Sequence, residues 1–158
     1  MHRIRMAQTG DCASLVAMRL ILWPQSSSDE ETEQVQAVLS TGMSGTLPAA
    51  ILVAEGDDGA LIGFLAVGLR SHADGCDTLR PVGFIEGWYV DSACRGRGIG
   101  RDLVRTAEDW SRRQGCVEMA SDALIDNEES HRAHQALGFE VVDRCVHFRK
   151  TLQIRGGK

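Results

Sequence analysis

The chain has 158 residues, with 17 Lys and Arg against 22 Asp and Glu, a formal net charge of −5. That length predicts one compact domain, over residues 1–152 with a tail at 153–158, able to bury roughly 70% of its unfolded surface without a metal or disulfide staple. No apolar run reaches the ~18–20 residues of a membrane span, Met1-His2-Arg3-Ile4-Arg5-Met6 lacks a signal-peptide core, and the acidic balance disfavours nucleic acid.

Residues 2–7 read as a short strand. Leu15, Met18, Arg19 and Leu22 then repeat at helical spacing behind Thr9-Gly10-Asp11, and Trp23-Pro24 ends that helix because the residue before proline is pushed out of the α region. Ser28-Asp29-Glu30-Glu31 reads as a capping box opening a second helix through about Leu39. Residues 51–54 and 61–69 predict two strands joined by the turn Gly56-Asp57-Asp58-Gly59. A polar loop at 71–80 precedes a third apolar strand at 82–90. A glycine-rich turn and a helix over 98–113 follow, with Leu103, Val104, Ala107 and Trp110 on its buried face and Gly115 as its stop. A buried strand at 117–120, a helix at 127–137 and a final strand at 140–150 complete the chain. The order predicts an α/β protein of the α+β type, with antiparallel hairpins first and a βαβ crossover later. The five cysteines (Cys12, Cys76, Cys94, Cys116, Cys145) are scattered, with no CxxC pair. They predict reduced thiols in a cytoplasmic protein and no metal site.

The most informative segment is Arg95-Gly96-Arg97-Gly98-Ile99-Gly100-Arg101, between a strand and a helix. A helix N-terminus exposes unpaired N–H groups and the positive end of its dipole, and glycines let an anion approach closely. Three arginines add phosphate donors. A Walker A loop is excluded, because Gly100-Arg101-Asp102 stands where Gly-Lys-Ser/Thr is needed. A G-x-G-x-x-G fingerprint from Gly96 fails too, because its last position holds Arg101.

Arg95, Gly98 and Gly100 do fit Q/R-x-x-G-x-G/A, and the segment resembles the acyl-CoA pyrophosphate loop of the GNAT acetyltransferase superfamily. The element order resembles that family over nearly the whole chain. The resemblance implies a mixed central sheet of six to seven strands flanked by about four helices. It implies acetyl-CoA bound with its pyrophosphate on residues 95–101 and its pantetheine between the strands at 83–90 and 117–121. Tyr89, Val90 and Asn127 join the expected cofactor contacts. Leu22-Trp23-Pro24, Gly75-Cys76-Asp77, Phe84-Ile85-Glu86-Gly87, the run from Gly115 to Asp122 and His134-Gln135-Ala136-Leu137-Gly138-Phe139-Glu140 resemble the short bacterial aminoglycoside 6'-N-acetyltransferases.

Acetyl transfer to an amine needs a neutral amine, a donor to the developing oxyanion, and a proton for the departing thiolate. The family supplies the oxyanion donor from backbone N–H groups, here within residues 88–90. Glu86 stands inside an apolar strand and needs a partner, either an internal arginine or a substrate ammonium. Asp122 follows the second splayed strand, either as a turn residue or where the acceptor amine arrives. The resemblance places both carboxylates in the antibiotic pocket, as catalytic and substrate-binding groups. A polycation calls for several converging carboxylates; Asp74, Asp77, Glu140 and the acidic start of the second helix are further candidates. Trp23 is expected to wall a sugar ring or to pack under its loop. Many superfamily members have a tyrosine four residues before the Gly-Phe exit. Here His134 holds that place, as candidate general acid or as an ordinary helix residue.

The implied activity is acetyl-CoA-dependent 6'-N-acetylation of aminoglycosides by direct attack in a ternary complex, in a homodimer of the kind relatives form. The alternatives are a GNAT enzyme acting on a polyamine or a protein N-terminus, and a non-catalytic acyl-CoA-binding module.

Overall fold

The computed structural model describes residues 1–156. Its elements are β1 (His2–Met6), α1 (Cys12–Leu22), α2 (Ser28–Thr41), β2 (Met43–Ser44), β3 (Leu47–Gly56), β4 (Leu61–Arg70), β5 (Val82–Val90), α3 (Ile99–Arg113), β6 (Met119–Ser121) and α4 (Glu128–Ala136). The six strands follow the order β1-β3-β4-β5-β6, with β2 pairing β3 off this path. All neighbours are antiparallel except β5 and β6, which are parallel and joined through α3. The mixed sheet with four helices is the expected architecture.

Both faces of the sheet are covered, so its central strands read as continuous apolar runs rather than alternating ones. Ala50, Leu52, Ala54, Leu65 and Val67 face α3, where Leu103, Val104, Ala107 and Trp110 meet them. The intervening Ile51, Val53, Phe64 and Ala66 face α1 and α2, packing on Leu15, Met18 and Val35. This is the period of two of a strand used twice. Each fully buried Leu, Val or Phe contributes roughly 1.5–3 kcal/mol of transfer free energy.

The cap of α2 lies one residue earlier than expected. Ser27, not Ser28, accepts from the Glu30 amide at 3.2 Å, and Glu30 Oε2 accepts from the Ser27 amide at 3.3 Å. The fully buried Val35 sets the phase of the helix, and Glu31, one turn before it, points inward with it. There Glu31 pairs with Arg19 of α1, itself buried, and Arg19 also donates to Gln34 Oε1 at 2.9 Å. Burial opposes ionisation of Glu31, but hydrogen bonds from Ser26 and Arg19 outweigh it and hold the carboxyl below its usual range.

Two expectations fail near the C-terminus. The strand after α3 forms over Met119–Ser121 rather than 117–120; Cys116 is buried, but Val117 is 65% exposed. No helix or strand forms after α4 within the described residues, so the final strand expected at 140–150 is absent. Its apolar side chains stay outside the sheet: Val142, Val146, Phe148, Leu152 and Ile154 are exposed. Of the expected tail, residues 157 and 158 lie outside the described residues.

Candidate active site

The site is set by an irregularity in β5. Ala66 pairs with Gly87 and Val67 with Ile85, so Glu86 is the extra residue of a β-bulge. The bulge turns Glu86 and Gly87 in succession toward the α1 and α2 face. At Gly87 a Cβ would lie 2.5 Å from Trp23 Cη2 and 3.4 Å from Phe64, so only glycine lets the indole lie against the strand. Trp23 is also stacked by Arg19, whose guanidinium carbon lies 4.8 Å from the ring centroid. The buried Arg19–Glu31 pair therefore also places an aromatic wall at the bulge.

Just before the bulge, β5 loses its parallel partner. Pairing with β6 covers only Gly83↔Met119, Phe84↔Ala120 and Ile85↔Ser121. From Glu86 to Val90 this edge of β5 has no β6 partner and, apart from the Val90 carbonyl, which Arg95 holds, it is open to an extended ligand. A groove of about 450 Å³ runs along it, lined by Trp88, Tyr89, Val90, the 94–101 turn and α4 residues that include Ser130 and Ala133. The indole N–H of Trp88 is buried there without an acceptor among the described residues.

The turn takes the strand-to-helix geometry that the sequence predicts. Gly98 is left-handed, φ +80°, and serves as N-cap of α3. The first intrahelical bond runs from the Asp102 amide to Gly98 O at 3.0 Å, so the amides of Ile99, Gly100 and Arg101 have no partner within the helix. Arg95 donates to Val90 O at 3.1 Å and pairs with Glu129 of α4 at 3.0 Å, which ties the turn to the groove's far wall. Arg97 and Arg101 are exposed beside it. Asn127 caps α4, accepting from the Ser130 amide at 3.1 Å, and lines the same groove. Pyrophosphate at the α3 amides and a pantetheine along the free β5 edge fit these donors.

Glu86 is exposed rather than buried, and it has the arginine partner that was one of its two expected fates. Arg70, the last residue of β4, donates Nε to Oε1 at 3.0 Å and Nη2 to Oε2 at 2.8 Å, and its guanidinium carbon lies 3.5 Å from the Phe84 ring centroid. The Arg70 pKa is raised, first by the Glu86 hydrogen bonds and with a contribution from the charge of Asp122. Asp122, exposed one residue past β6, thus belongs to the same electrostatic cluster.

Asp77 and Glu140 are placed differently. The Asp77 amide donates to Glu118 Oε1 at 2.8 Å and its carboxylate accepts from the Leu79 amide at 2.9 Å. Glu140 is exposed and lines a second cavity of about 790 Å³, with Asp74 and Glu118, that reaches Ser121 and His134. Among the described residues no ion pair or hydrogen bond joins either to Glu86 and Arg70.

His134 is held by α4 against the divergence of β5 and β6. Its Nδ1 lies 2.7 Å from the Ser130 carbonyl, which can only accept, so Nδ1 carries the proton. Nε2 then accepts from Ser121 Oγ at 2.8 Å. The ring meets Trp88 and Phe139 edge-to-face, with centroids 5.2 and 5.3 Å away. Burial raises the thiol pKa of Cys76, helped by Glu118, and also that of Cys116, so neither is an activated nucleophile. Arg70, Ser121 and Arg19 are the residues that sequence reasoning missed as site elements, whereas Glu31, expected with the acidic start of α2 as a further substrate carboxylate, is buried against Arg19. Their relevance comes from register and packing between distant segments, which no local motif signals.

Comparison with known proteins agrees with this geometry. Residues 15–139 match the Acetyltransferase (GNAT) family. The chain is 40% identical over 149 residues to an aminoglycoside N(6')-acetyltransferase type 1 of Klebsiella aerogenes, covering 94% of this chain and 96% of that one. It is 38% identical over 151 residues to a protein of the same name from Stenotrophomonas maltophilia, covering 95% and 94%. Among solved structures it superimposes on AAC(6')-Iy in complex with the bisubstrate analogue CoA-S-monomethyl-acetylneamine, with TM-score 0.86, 32% identity and coverage of 96% and 99%. AAC(6')-Ih from Acinetobacter baumannii follows at TM-score 0.84 and 30% identity, covering 97% and 100%. With a split parallel strand pair, free amides on a glycine-rich helix start, and a sequence match spanning most of its length, the chain belongs to the GNAT acetyltransferase family.

Proposed function

We propose that this protein transfers the acetyl group of acetyl-CoA to the 6'-amine of aminoglycoside antibiotics, a resistance activity, by direct attack in a ternary complex. The observation that carries the reading is a pair of opposite fields on the two sides of β5. Unpaired amides and arginines start α3 on one side, and Glu86 with Asp122 lies on the other. The similarity of whole-length relatives named for this reaction supports the substrate class.

Acetyl-CoA supplies the activated acetyl group; the chain's residues position and move protons. The 95–101 turn holds the pyrophosphate, with Gly96, Arg97 and Ile99 contributing backbone or charge. The free edge at Tyr89 and Val90 pairs with the pantetheine amides. A backbone N–H within residues 88–90 donates to the developing oxyanion. Glu86 and Asp122 bind ammonium groups, and one of them takes the proton of the attacking amine through water. Trp23 walls the sugar ring, with Asp77 and Glu140 as outer contacts for a polycation. With both ring nitrogens protonated, His134 donates Nε2–H to Ser121 Oγ while the Ser121 hydroxyl proton passes to the departing thiolate, leaving the neutral ring with Nδ1–H held by the Ser130 carbonyl. Burial raises the thiol pKa of Cys76 and of Cys116, which disfavours these two as nucleophiles and supports direct attack.

We further propose one domain over residues 1–152, a cytoplasmic location, and a homodimer. The exposed Val142, Val146 and Phe148 and the open edge of β6 support pairing of the C-terminal segment with a second copy. Light scattering is expected to give twice the 17.2 kDa chain mass; a monomer would remove the dimer. Steady-state thiol release with kanamycin or tobramycin tests the activity. No acetyl-CoA-dependent release with any aminoglycoside overturns the substrate class, and turnover of polyamines or peptide N-termini alone would favour the other GNAT reading.

A further inference from the structure

The Glu86–Arg70 pair does not behave like an ordinary surface ion pair. It is bidentate, with bonds of 3.0 and 2.8 Å, and the guanidinium lies flat on Phe84, its carbon 3.5 Å from the ring centroid. A planar fork against one carboxylate and over one aromatic face is the arrangement in which a protein recognises a cationic ligand. A second carboxylate, Asp122, acts on the same guanidinium. The Arg70 side chain is nonetheless 44% exposed, and it ends β4 where the chain enters the 71–81 segment, which has no helix or strand. Its guanidinium can swing away by side-chain rotation, uncovering the Phe84 ring but leaving the strand pairing of β4 in place.

We propose that Arg70 is an internal stand-in for the substrate's ammonium, paired with Glu86 in the free protein and displaced when the aminoglycoside binds. This rests on the reading of Glu86 and Asp122 as substrate carboxylates. Displacement exchanges one charge-assisted pair on Glu86 for another, so an amine that contacts Glu86 alone gains little. The cost of displacement is subtracted from every amine alike. Amines with a single contact then bind poorly, whereas a polycation engaging several carboxylates retains useful affinity. Arg70 thus sets a threshold that only amines making several carboxylate contacts clear at working concentrations, and it keeps Glu86 paired when the pocket is empty.

The test is steady-state kinetics of Arg70→Gln at low and physiological ionic strength, with kanamycin as the varied substrate. KM for kanamycin is expected to fall about fivefold at low salt, a gain of about 1 kcal/mol, and less at higher salt because surface charges are screened. The change is expected in the aminoglycoside KM and not in the acetyl-CoA KM. Arg70→Lys keeps the charge without the planar fork and should fall between the two. In a Glu86→Gln background the Arg70→Gln gain should vanish, since its partner is gone. A kanamycin KM that stays constant or rises in Arg70→Gln overturns the inference. If Glu86→Gln and Asp122→Asn leave that KM unchanged, the underlying reading of the pocket fails instead. The unmodified protein gives an independent readout. The Arg70 Nε–H resonance, identified by its loss in Arg70→Lys, should exchange slowly when free and quickly at saturating kanamycin. A signal that stays protected also refutes displacement.

Discussion

The two sides of β5 hold the two halves of the site by different means. Toward α3 the binding surface is largely backbone: the amides of Ile99, Gly100 and Arg101 and the unpaired edge from Glu86 to Val90. Toward α1 and α2 it is made of side chains from separate segments. Trp23 follows α1, Arg70 ends β4, Glu86 stands at the bulge and Asp122 follows β6. A backbone site tolerates no change in local conformation but much change in side chains. A side-chain site depends on packing far from the ligand, as the Arg19–Glu31 pair behind Trp23 illustrates.

That contrast can be broken first at Glu31. Glu31→Ala leaves Arg19 buried without its counter-charge and should cost about 3 kcal/mol of stability, roughly 6–12 °C in Tm. Calorimetry checks the stability. At a temperature where the variant stays folded, the aminoglycoside KM should rise through Trp23 more than the acetyl-CoA KM does. The same pair shapes the acid response. Asp11 is held below its usual range by a hydrogen bond from Arg5 and Asp102 by one from His2, and Glu31 is depressed as well. Each binds its proton more readily in the unfolded chain. Their contribution is therefore full above about pH 5 and is lost as pH falls through about 4 and below. A Tm that held constant from pH 6 to pH 3 would contradict this.

On the backbone side, Gly98→Val forces a branched residue into φ +80° and brings its Cβ 2.7 Å from Arg101 Nη2. It should lower kcat/KM for acetyl-CoA about thirtyfold, the equivalent of roughly 2 kcal/mol, with little change in the aminoglycoside KM. Asp122→Ala should do the reverse, lowering kcat/KM for the aminoglycoside about tenfold, or ~1.4 kcal/mol, and sparing acetyl-CoA. Parallel effects of the two variants on both substrates would erase the distinction between the sides. The smallest effect belongs to His134→Gln. We expect kcat to fall about threefold, within the range of assisted proton transfer but modest because CoA thiolate leaves readily; a loss of a hundredfold would make His134 indispensable.

Legibility followed the same division. The 95–101 turn was readable because a helix start that binds an anion needs its glycines and cations within a few consecutive residues. The strands were readable where apolar runs met turn residues, as at Gly56 to Gly59. The cap of α2 was misplaced by one residue because Ser26, Ser27 and Ser28 are equivalent locally and only the burial of Val35 and Glu31 chooses among them. The strand expected at 140–150 has the right residues, but a strand exists only by its pairing, and within the described residues this segment pairs with no strand although the edge of β6 is open.

By itself, then, the sequence determined the order of sheet and helix as far as α4, the glycine-rich turn and the candidate carboxylates, because periodicity, capping and glycine spacing act over a few residues. Only the tertiary structure decided that Glu86 sits on a bulge and is gripped by Arg70, that Trp23 is seated through Arg19 and Glu31, and that Asp77 and Glu140 stand apart. Register and the meeting of side chains across distant segments are properties of the packed sheet, and no local stretch of chain encodes them.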